Sequence, residues 1–313
     1  MRFALTTHWN SGRHASGEAI VEEILALGID RIELGYDLTM DLVPGIQAMV
    51  AQKAVTVQSV HNFCPVPVGV PRGHPELWLM TSRDRKVWQA AVMHTERTIR
   101  FAAQLGARVV VVHAGQVDMR RQTPKLIALC QQGKQYTPRY DRTKIKLQLV
   151  REKKAGRHLE LLHRALDQLL PVLKETGIRL AIENLPSWES VPTEAEAETL
   201  FRRFDTPHLC YWHDIGHGQV RENLGFIGHV RWLEKLRPHL AGVHIHDVAP
   251  PAFDHLMPPR GKVKFDRFKN LVGSDTIKVF EPAPGTPAAE IRAGMAVVQA
   301  AWETKEGGTA DER

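Results

Sequence analysis

Cysteine is scarce in this chain. Its three residues, Cys64, Cys130 and Cys210, are odd in number and far apart. No CxxC pair occurs, which excludes a zinc ribbon and a thioredoxin-type redox pair and suits a reducing, cytoplasmic setting. Long apolar runs are missing too: no stretch of roughly 18 uncharged apolar residues exists to span a bilayer, so no membrane partner is expected. The opening MRFALTTHWNSGR turns polar too early for a secretory signal. No GxGxxG, P-loop, GxSxG or HExxH is found, which removes the common nucleotide, hydrolase and metalloprotease signatures. Acid is locally scarce as well. Between Met119 and Arg157 twelve lysines and arginines face only Asp141 and Glu152, so this window carries +10 and the rest of the chain −4.

Against these absences stands a regular alternation. Short apolar, β-branched runs occur at Arg2–Thr6, Arg31–Gly35, Val55–Val60, Arg108–His113, Arg179–Glu183, Leu209–Asp214, Ala241–His246 and Thr276–Glu281. Helical patterns fill the intervals, the longest over about 82–105 and from about 144 to 176. Runs apolar on both faces are the mark of parallel strands covered by helices. Eight such units in one chain of 313 residues predict an α/β fold, a single closed (β/α)8 barrel. It would span residues 1–302, with a polar frayed tail over 303–313. The stretch TPKLIALCQQGKQYTPRYDRT is too long for an ordinary βα loop. With its charge, it predicts a basic lid over 119–157 that projects from the catalytic face.

In a parallel barrel the carboxyl ends of all strands meet at one mouth. Those ends carry His8, then Glu33 and Tyr36, His61, His113, Glu183 and Asn184, Asp214 and His217, His244 and His246, and finally Glu281. Every strand thus ends in a group that can ligate a metal or move a proton. Carboxylates and imidazoles gathered in one desolvated mouth repel one another unless a cation joins them. A divalent ion does so, and an oxygen-rich mixed set suits Mn²⁺, Mg²⁺ or Co²⁺ as well as Zn²⁺. His244 and His246 share a strand face, so either can approach the ion. His213 alternates with Trp212 and is expected to face away from Asp214, in a structural role.

The pieces RIELG, VVVVHAG, RLAIEN, HDIGH, GVHIHD, DHLMPPRGKVKF and KVFEPAPG occur in this order over almost the whole chain. In this the sequence resembles the xylose isomerase-like TIM-barrel superfamily, which includes sugar-phosphate isomerases and epimerases, ketose epimerases, inosose dehydratases and metal-dependent apurinic-site endonucleases. The resemblance implies metal ligands at Glu183, Asp214, His244 and Glu281, with Asp247 as the acidic partner of His244. It implies that His61, His113 and His217 line the mouth. Glu33, His8 and His246, at strand ends of the same mouth, are expected to meet substrate with them. Two departures stand out. The endonuclease branch has an acid and a histidine two apart after strand seven to complete a three-metal cluster; here Asp254 and His255 are adjacent. A glycine of the following turn is replaced by Pro259, which brings in Arg260 as a candidate for substrate hydroxyls.

The function expected is a divalent-metal-dependent isomerase or epimerase of a sugar, sugar phosphate or related keto-polyol, with Glu183 and Glu281 removing and returning a proton through an enediolate. A lyase or dehydratase acting on a keto-sugar or inosose would share that intermediate. A DNA-repair endonuclease is the alternative from another class, favoured by the +10 window and opposed by the broken acid–histidine pair and the −4 elsewhere. A barrel that binds sugar without chemistry would not need two opposed carboxylates. The partner expected is therefore a small sugar-like molecule rather than nucleic acid, and assembly into a homo-oligomer is left open.

Overall fold

A computed structural model describes residues 1–303. Eight parallel strands close into a barrel in chain order: β1 (Ala4–Thr6), β2 (Arg31–Leu34), β3 (Thr56–His61), β4 (Val109–Val112), β5 (Arg179–Glu183), β6 (Leu209–Asp214), β7 (Leu240–Ile245) and β8 (Ile277–Phe280), which pairs with β1. Around them lie α1 (Gly17–Leu25), α2 (Val43–Ala51), α3 (Arg85–Gln104), α4 (Thr123–Gln131), α5 (Pro138–Thr176), α6 (Glu194–Phe204), α7 (Ile215–Asn223), α8 (His229–Leu236) and α9 (Ala288–Trp302). All eight strand runs expected from the apolar pattern are present, with ends shifted by a few residues. The polar tail expected over 303–313 lies, beyond Glu303, outside the described residues. Among the described residues no helix is long and apolar enough to cross a membrane.

The barrel interior is filled by Ala4, Val109, Val111, Ala181, Cys210, Trp212, Ala241, Ile277 and Val279. One large side chain among small ones accounts for this packing. Trp212 on β6 sits opposite Gly242 on β7, and a methyl group at Gly242 would fall inside the indole ring. The Trp212 ring in turn meets His244 edge-on, with centroids 5.1 Å apart. A packed floor of this kind leaves strand-end side chains nowhere to go but the mouth.

One sequence expectation is corrected here. The segment after β4 is folded rather than looped. Pro124 stands in the first turn of α4, whose amides at Gln122 and Thr123 are held by Glu189 (2.5 and 3.0 Å). Thr137 caps α5 with Pro138 in its first turn, so that helix starts well before residue 144. The threonine–proline pairs at 123–124 and 137–138 are helix starts, and a reading by length alone took them for loop. At HDIGHG the chain passes from strand to helix without a loop: Asp214 ends β6 and caps α7 in one residue, accepting from the His217 amide at 2.6 Å. Gly216 and Gly218 are inside this helix because side chains would collide with the rings of His246 and His229.

The Trp212–Gly242 contact generates a test. Gly242→Val should overpack the barrel floor and destabilise the fold by about 1–3 kcal/mol, read as a lowered Tm by circular dichroism. An unchanged Tm would contradict this account of the interior.

Candidate metal centre

Four buried groups meet at the mouth. Glu183 closes β5, Asp214 closes β6, His244 is the next-to-last residue of β7, and Glu281 follows β8 with its amide bonded to the Ile245 carbonyl at 3.2 Å. Their nitrogen and oxygen atoms lie within 4.8 Å of one another. The centre of the group is His244 Nδ1, which stands 3.2 Å from Glu183 Oε1, 3.2 Å from Glu281 Oε2 and 3.7 Å from Asp214 Oδ2. Its other nitrogen, Nε2, is bonded to Glu33 Oε1 at 2.9 Å, and Glu33 Oε2 accepts from the Ser59 hydroxyl at 2.6 Å.

Three carboxylates around one nitrogen demand positive charge. Burial pulls the His244 imidazolium down, but Glu281, Glu33 and Glu183 outweigh it and hold it well above the usual histidine range. Burial pushes the Glu183 carboxyl up, yet His244 and His113 outweigh it and keep it well below the usual carboxylate range. Glu281 is likewise held low by His244 and His255 against its burial. A divalent cation would replace the Nδ1 proton in this arrangement. The bond from Nε2–H to Glu33 fixes the tautomer that leaves Nδ1 free, the pairing common behind metal-bound histidines.

Two further donor sets flank this group. His61 and His113 each bring Nε2 to 3.3 Å from Glu183 Oε2, and that oxygen is buried without a hydrogen-bond partner. His61 Nδ1 donates to the Asn62 carbonyl at 3.0 Å, so Nε2 is the atom that would face a cation placed beside Glu183. Burial lowers the His113 imidazolium, but Glu183 and Glu76 raise it overall to about 10. On the other side lie His217, His246 and His255. His217 Nδ1 faces the Asn184 carbonyl at 3.0 Å. His246 Nε2 reaches Asp214 Oδ1 at 3.0 Å, while its Nδ1 accepts from the His255 amide at 2.9 Å. The adjacency of Asp254 and His255 therefore does not keep His255 out. A positive φ of 54° turns its backbone, and its ring stacks on His246 at 4.2 Å between centroids. Asp254 is bonded to His255 Nδ1 at 3.2 Å.

A buried hydrogen-bond chain lies beneath the centre. Asn184 Oδ1 accepts from the Asp214 amide (2.8 Å) and the Tyr211 hydroxyl (3.0 Å), and its Nδ2 donates to the Asp214 carbonyl (2.9 Å). With the Tyr211 proton spent on Asn184, its oxygen accepts from His213 Nδ1 at 2.7 Å, and His213 Nε2 then accepts from His229 Nε2 at 2.9 Å. Both imidazoles are neutral: burial takes His213 well below the usual range and His229 to about 3. Asp214 is thus held through its main chain by an amide that is itself fixed from below.

Not every residue expected at the mouth joins the centre. Arg260 is exposed, and its Nη1 donates to both carboxylate oxygens of Glu290 on α9, at 2.9 and 2.7 Å, a surface pair that is not part of the central group. Asp247 is not the partner of His244. It accepts from the amides of Gly261 (2.7 Å) and Val263 (2.9 Å) and ties down the chain after the hairpin formed by 247–249 and 253–256. Glu33 is the acid that His244 meets. His8 stands at the rim, with Nδ1 2.9 Å from Asp37 and Nε2 3.0 Å from the Tyr36 hydroxyl. Tyr36 lies edge-on to His61 at 5.3 Å between centroids, so His8 borders the centre through that ring. Glu76, 3.6 Å from His113 Nδ1, comes from an irregular stretch without periodicity and had no sequence signal.

Comparison with known proteins agrees with this architecture. A family model described as the xylose isomerase-like TIM barrel matches residues 21–301. An uncharacterized protein of Methanocaldococcus jannaschii is 22% identical over 261 residues, covering 83% of each chain. Among solved structures, a D-tagatose 3-epimerase-like protein is 18% identical with a TM-score of 0.69, covering 96% of this chain and 97% of that one. The 3-keto-D-glucoside 4-epimerase of E. coli is 17% identical, also at 0.69, over 96% and 99%. The IolI protein with a bound zinc atom is 13% identical at 0.65, over 96% and 98%. A barrel with this strand order, matched by the family model over nearly all its length, makes the chain a member of the xylose isomerase-like TIM-barrel family.

Proposed function

We propose that the protein is a divalent-metal-dependent isomerase or epimerase of a sugar, sugar phosphate or related keto-polyol. The observation that carries this reading is the convergence of Glu183, Asp214 and Glu281 on His244 Nδ1. The residues fit one divalent ion: three oxygens and one nitrogen, and a histidine tautomer set by Glu33. When bound, the ion supplies Lewis-acid polarisation of a substrate carbonyl and its neighbouring hydroxyl. Glu183 and Glu281 reach the centre from β5 and β8, each 3.2 Å from the same nitrogen, so that a substrate carbon between them meets a carboxylate on either face. One takes the proton beside the carbonyl, the other returns it, and such positioned groups contribute ~10²–10⁴-fold in rate. Buried walls around them exclude water during the transfer. The sugar epimerases among the similar structures support the substrate class, and the zinc in IolI supports a metal. A lyase would use the same base and lose a substituent in place of reprotonation.

One observation favours a different chemistry. Glu183 is shared between the central group and the His61–His113 pair, and a third set stands at His217, His246 and His255. Three adjacent donor sets would suit a polynuclear centre acting on a phosphodiester, as in the family's endonucleases.

Metal content is the first test. Protein purified without chelator should carry close to one equivalent of Mn, Mg, Co or Zn by elemental analysis, and the Glu183→Gln/Glu281→Gln double variant should carry none. Equal metal in wild type and double variant would remove the assignment. The second test separates the chemistries. In D₂O the enzyme should place deuterium beside the carbonyl of its substrate in a panel of ketoses and keto-sugars, and either single Gln variant should lose at least ~10²-fold in turnover. Turnover without exchange, or nicking of abasic duplex DNA, would overturn the isomerase reading.

A further inference from the structure

We propose that the cleft between α4 and α5 is a second binding site, separate from the metal centre, for a small molecule bearing adjacent phosphate groups. One wall is a single face of α5, where Arg139, Arg142, Lys146 and Lys154 recur at helical spacing. The other wall carries Arg120, Arg121 and Lys125. Between them lies a cavity of about 660 Å³ whose lining includes the apolar side chains of Met119, Leu147 and Val150. No carboxylate lines it, and none of the donor groups of the metal centre does.

The seven cations are unneutralised by the protein. Among the described residues none of them takes part in an ion pair, although surface arginines elsewhere do: Arg100 meets Glu96 and Glu175, Arg164 meets Glu160, and Arg267 meets Glu222. The carboxylate of Glu189, next to this wall, is committed to the α4 amides and to the Thr123 hydroxyl at 2.5 Å. Only Arg121 and Lys154 have neutral acceptors, the Ser187 hydroxyl at 3.4 Å and the Asp118 carbonyl at 2.9 Å. Like charges lining two facing walls repel one another and focus a positive field into the space between.

The shape and chemistry of the cleft select the ligand. A monovalent anion leaves most of the charge uncompensated, whereas adjacent phosphates meet several cations at once. Four of the seven are arginines, whose planar forks match phosphate oxygens in pairs. The volume falls in the usual range for small-molecule sites, about 300–1,000 Å³, and the cations stand on two facing walls of an open cleft rather than along one ridge. The apolar lining suits a ring or sugar attached to the phosphates. Inorganic oligophosphates and nucleoside polyphosphates share this chemistry.

Calorimetric titrations at physiological salt test the site, with tripolyphosphate, ATP, adenosine and orthophosphate as probes. Wild-type protein should bind tripolyphosphate and ATP saturably, and orthophosphate at least about tenfold more weakly. Tighter binding of ATP than of tripolyphosphate would assign the apolar lining to the nucleoside; equal binding would assign the site to oligophosphate alone. Arg142→Glu/Lys146→Glu, on exposed positions, should keep the wild-type Tm and lose at least about tenfold in affinity. Lys153→Glu/Arg157→Glu removes two α5 cations outside the cleft and should retain affinity. Absence of saturable binding, equal loss in both double variants (diffuse charge), or undiminished affinity in Arg142→Glu/Lys146→Glu (capture elsewhere, as at the metal centre) would overturn the site. Single-stranded or duplex DNA that binds more tightly than ATP, with the same loss in Arg142→Glu/Lys146→Glu, would overturn the small-molecule assignment.

Discussion

Three buried carboxylates around one imidazole nitrogen are the constraint on which the rest of the mouth depends. Charges of one sign in a desolvated space cost several kcal/mol each unless compensated, and here the compensation is focused on His244 Nδ1. The surroundings keep that nitrogen in place. Glu33, fixed by Ser59, holds the far side of the ring. Trp212 meets it edge-on, and Gly242 makes room for Trp212. These contacts hold the ring and its carboxylates in place from several sides, which suits the proposed proton transfer, whose carboxylates must stand at set distances from substrate carbon.

The same constraint accounts for the chain around Asp214. This residue contributes a carboxylate to the centre, ends β6 and caps α7. Three duties in one residue leave no length for a loop, and the helix that follows must pass close to β7. Gly216 and Gly218 are its solution, since they admit the imidazoles of His246 and His229 against the helix backbone. Below, the chain from Asn184 through Tyr211 and His213 to His229 satisfies buried polar groups that would otherwise be orphaned. His213 belongs to this support, in keeping with its place beside Trp212 on the strand.

Much of this was legible in the amino-acid sequence. Parallel strands buried on both faces write themselves as apolar runs, so all eight were visible, and the polar residues at and just past their ends marked the mouth; the resemblance to the family singled out Glu183, Asp214, His244 and Glu281 among them. What escaped depended on contacts between distant segments. Gly216 and Gly218 have no local explanation in the sequence, because the rings they accommodate come from the residue after β7 and from α8. Arg260 looked like a substrate group because nothing local shows Glu290 across from it. Asp247 stands three residues from His244, yet its oxygens are taken by the amides of Gly261 and Val263. His255 depends on a left-handed backbone turn that adjacency to Asp254 does not announce. The basic segment was visible as charge, but its two helices followed from Pro124 in the first turn of α4 and from the Thr137 cap with Pro138 on α5, which length alone concealed.

The central claim is that His244 Nδ1 and the three carboxylates form a cation site. The most direct measurement is an anomalous difference map from crystals equilibrated with Mn²⁺. The account predicts one strong peak at about 2.0–2.2 Å from His244 Nδ1 and from an oxygen of each of Glu183, Asp214 and Glu281, with Nε2 still bonded to Glu33. A map with no peak there, or with His244 Nδ1 still bonded to the carboxylates and the ion elsewhere, would contradict it.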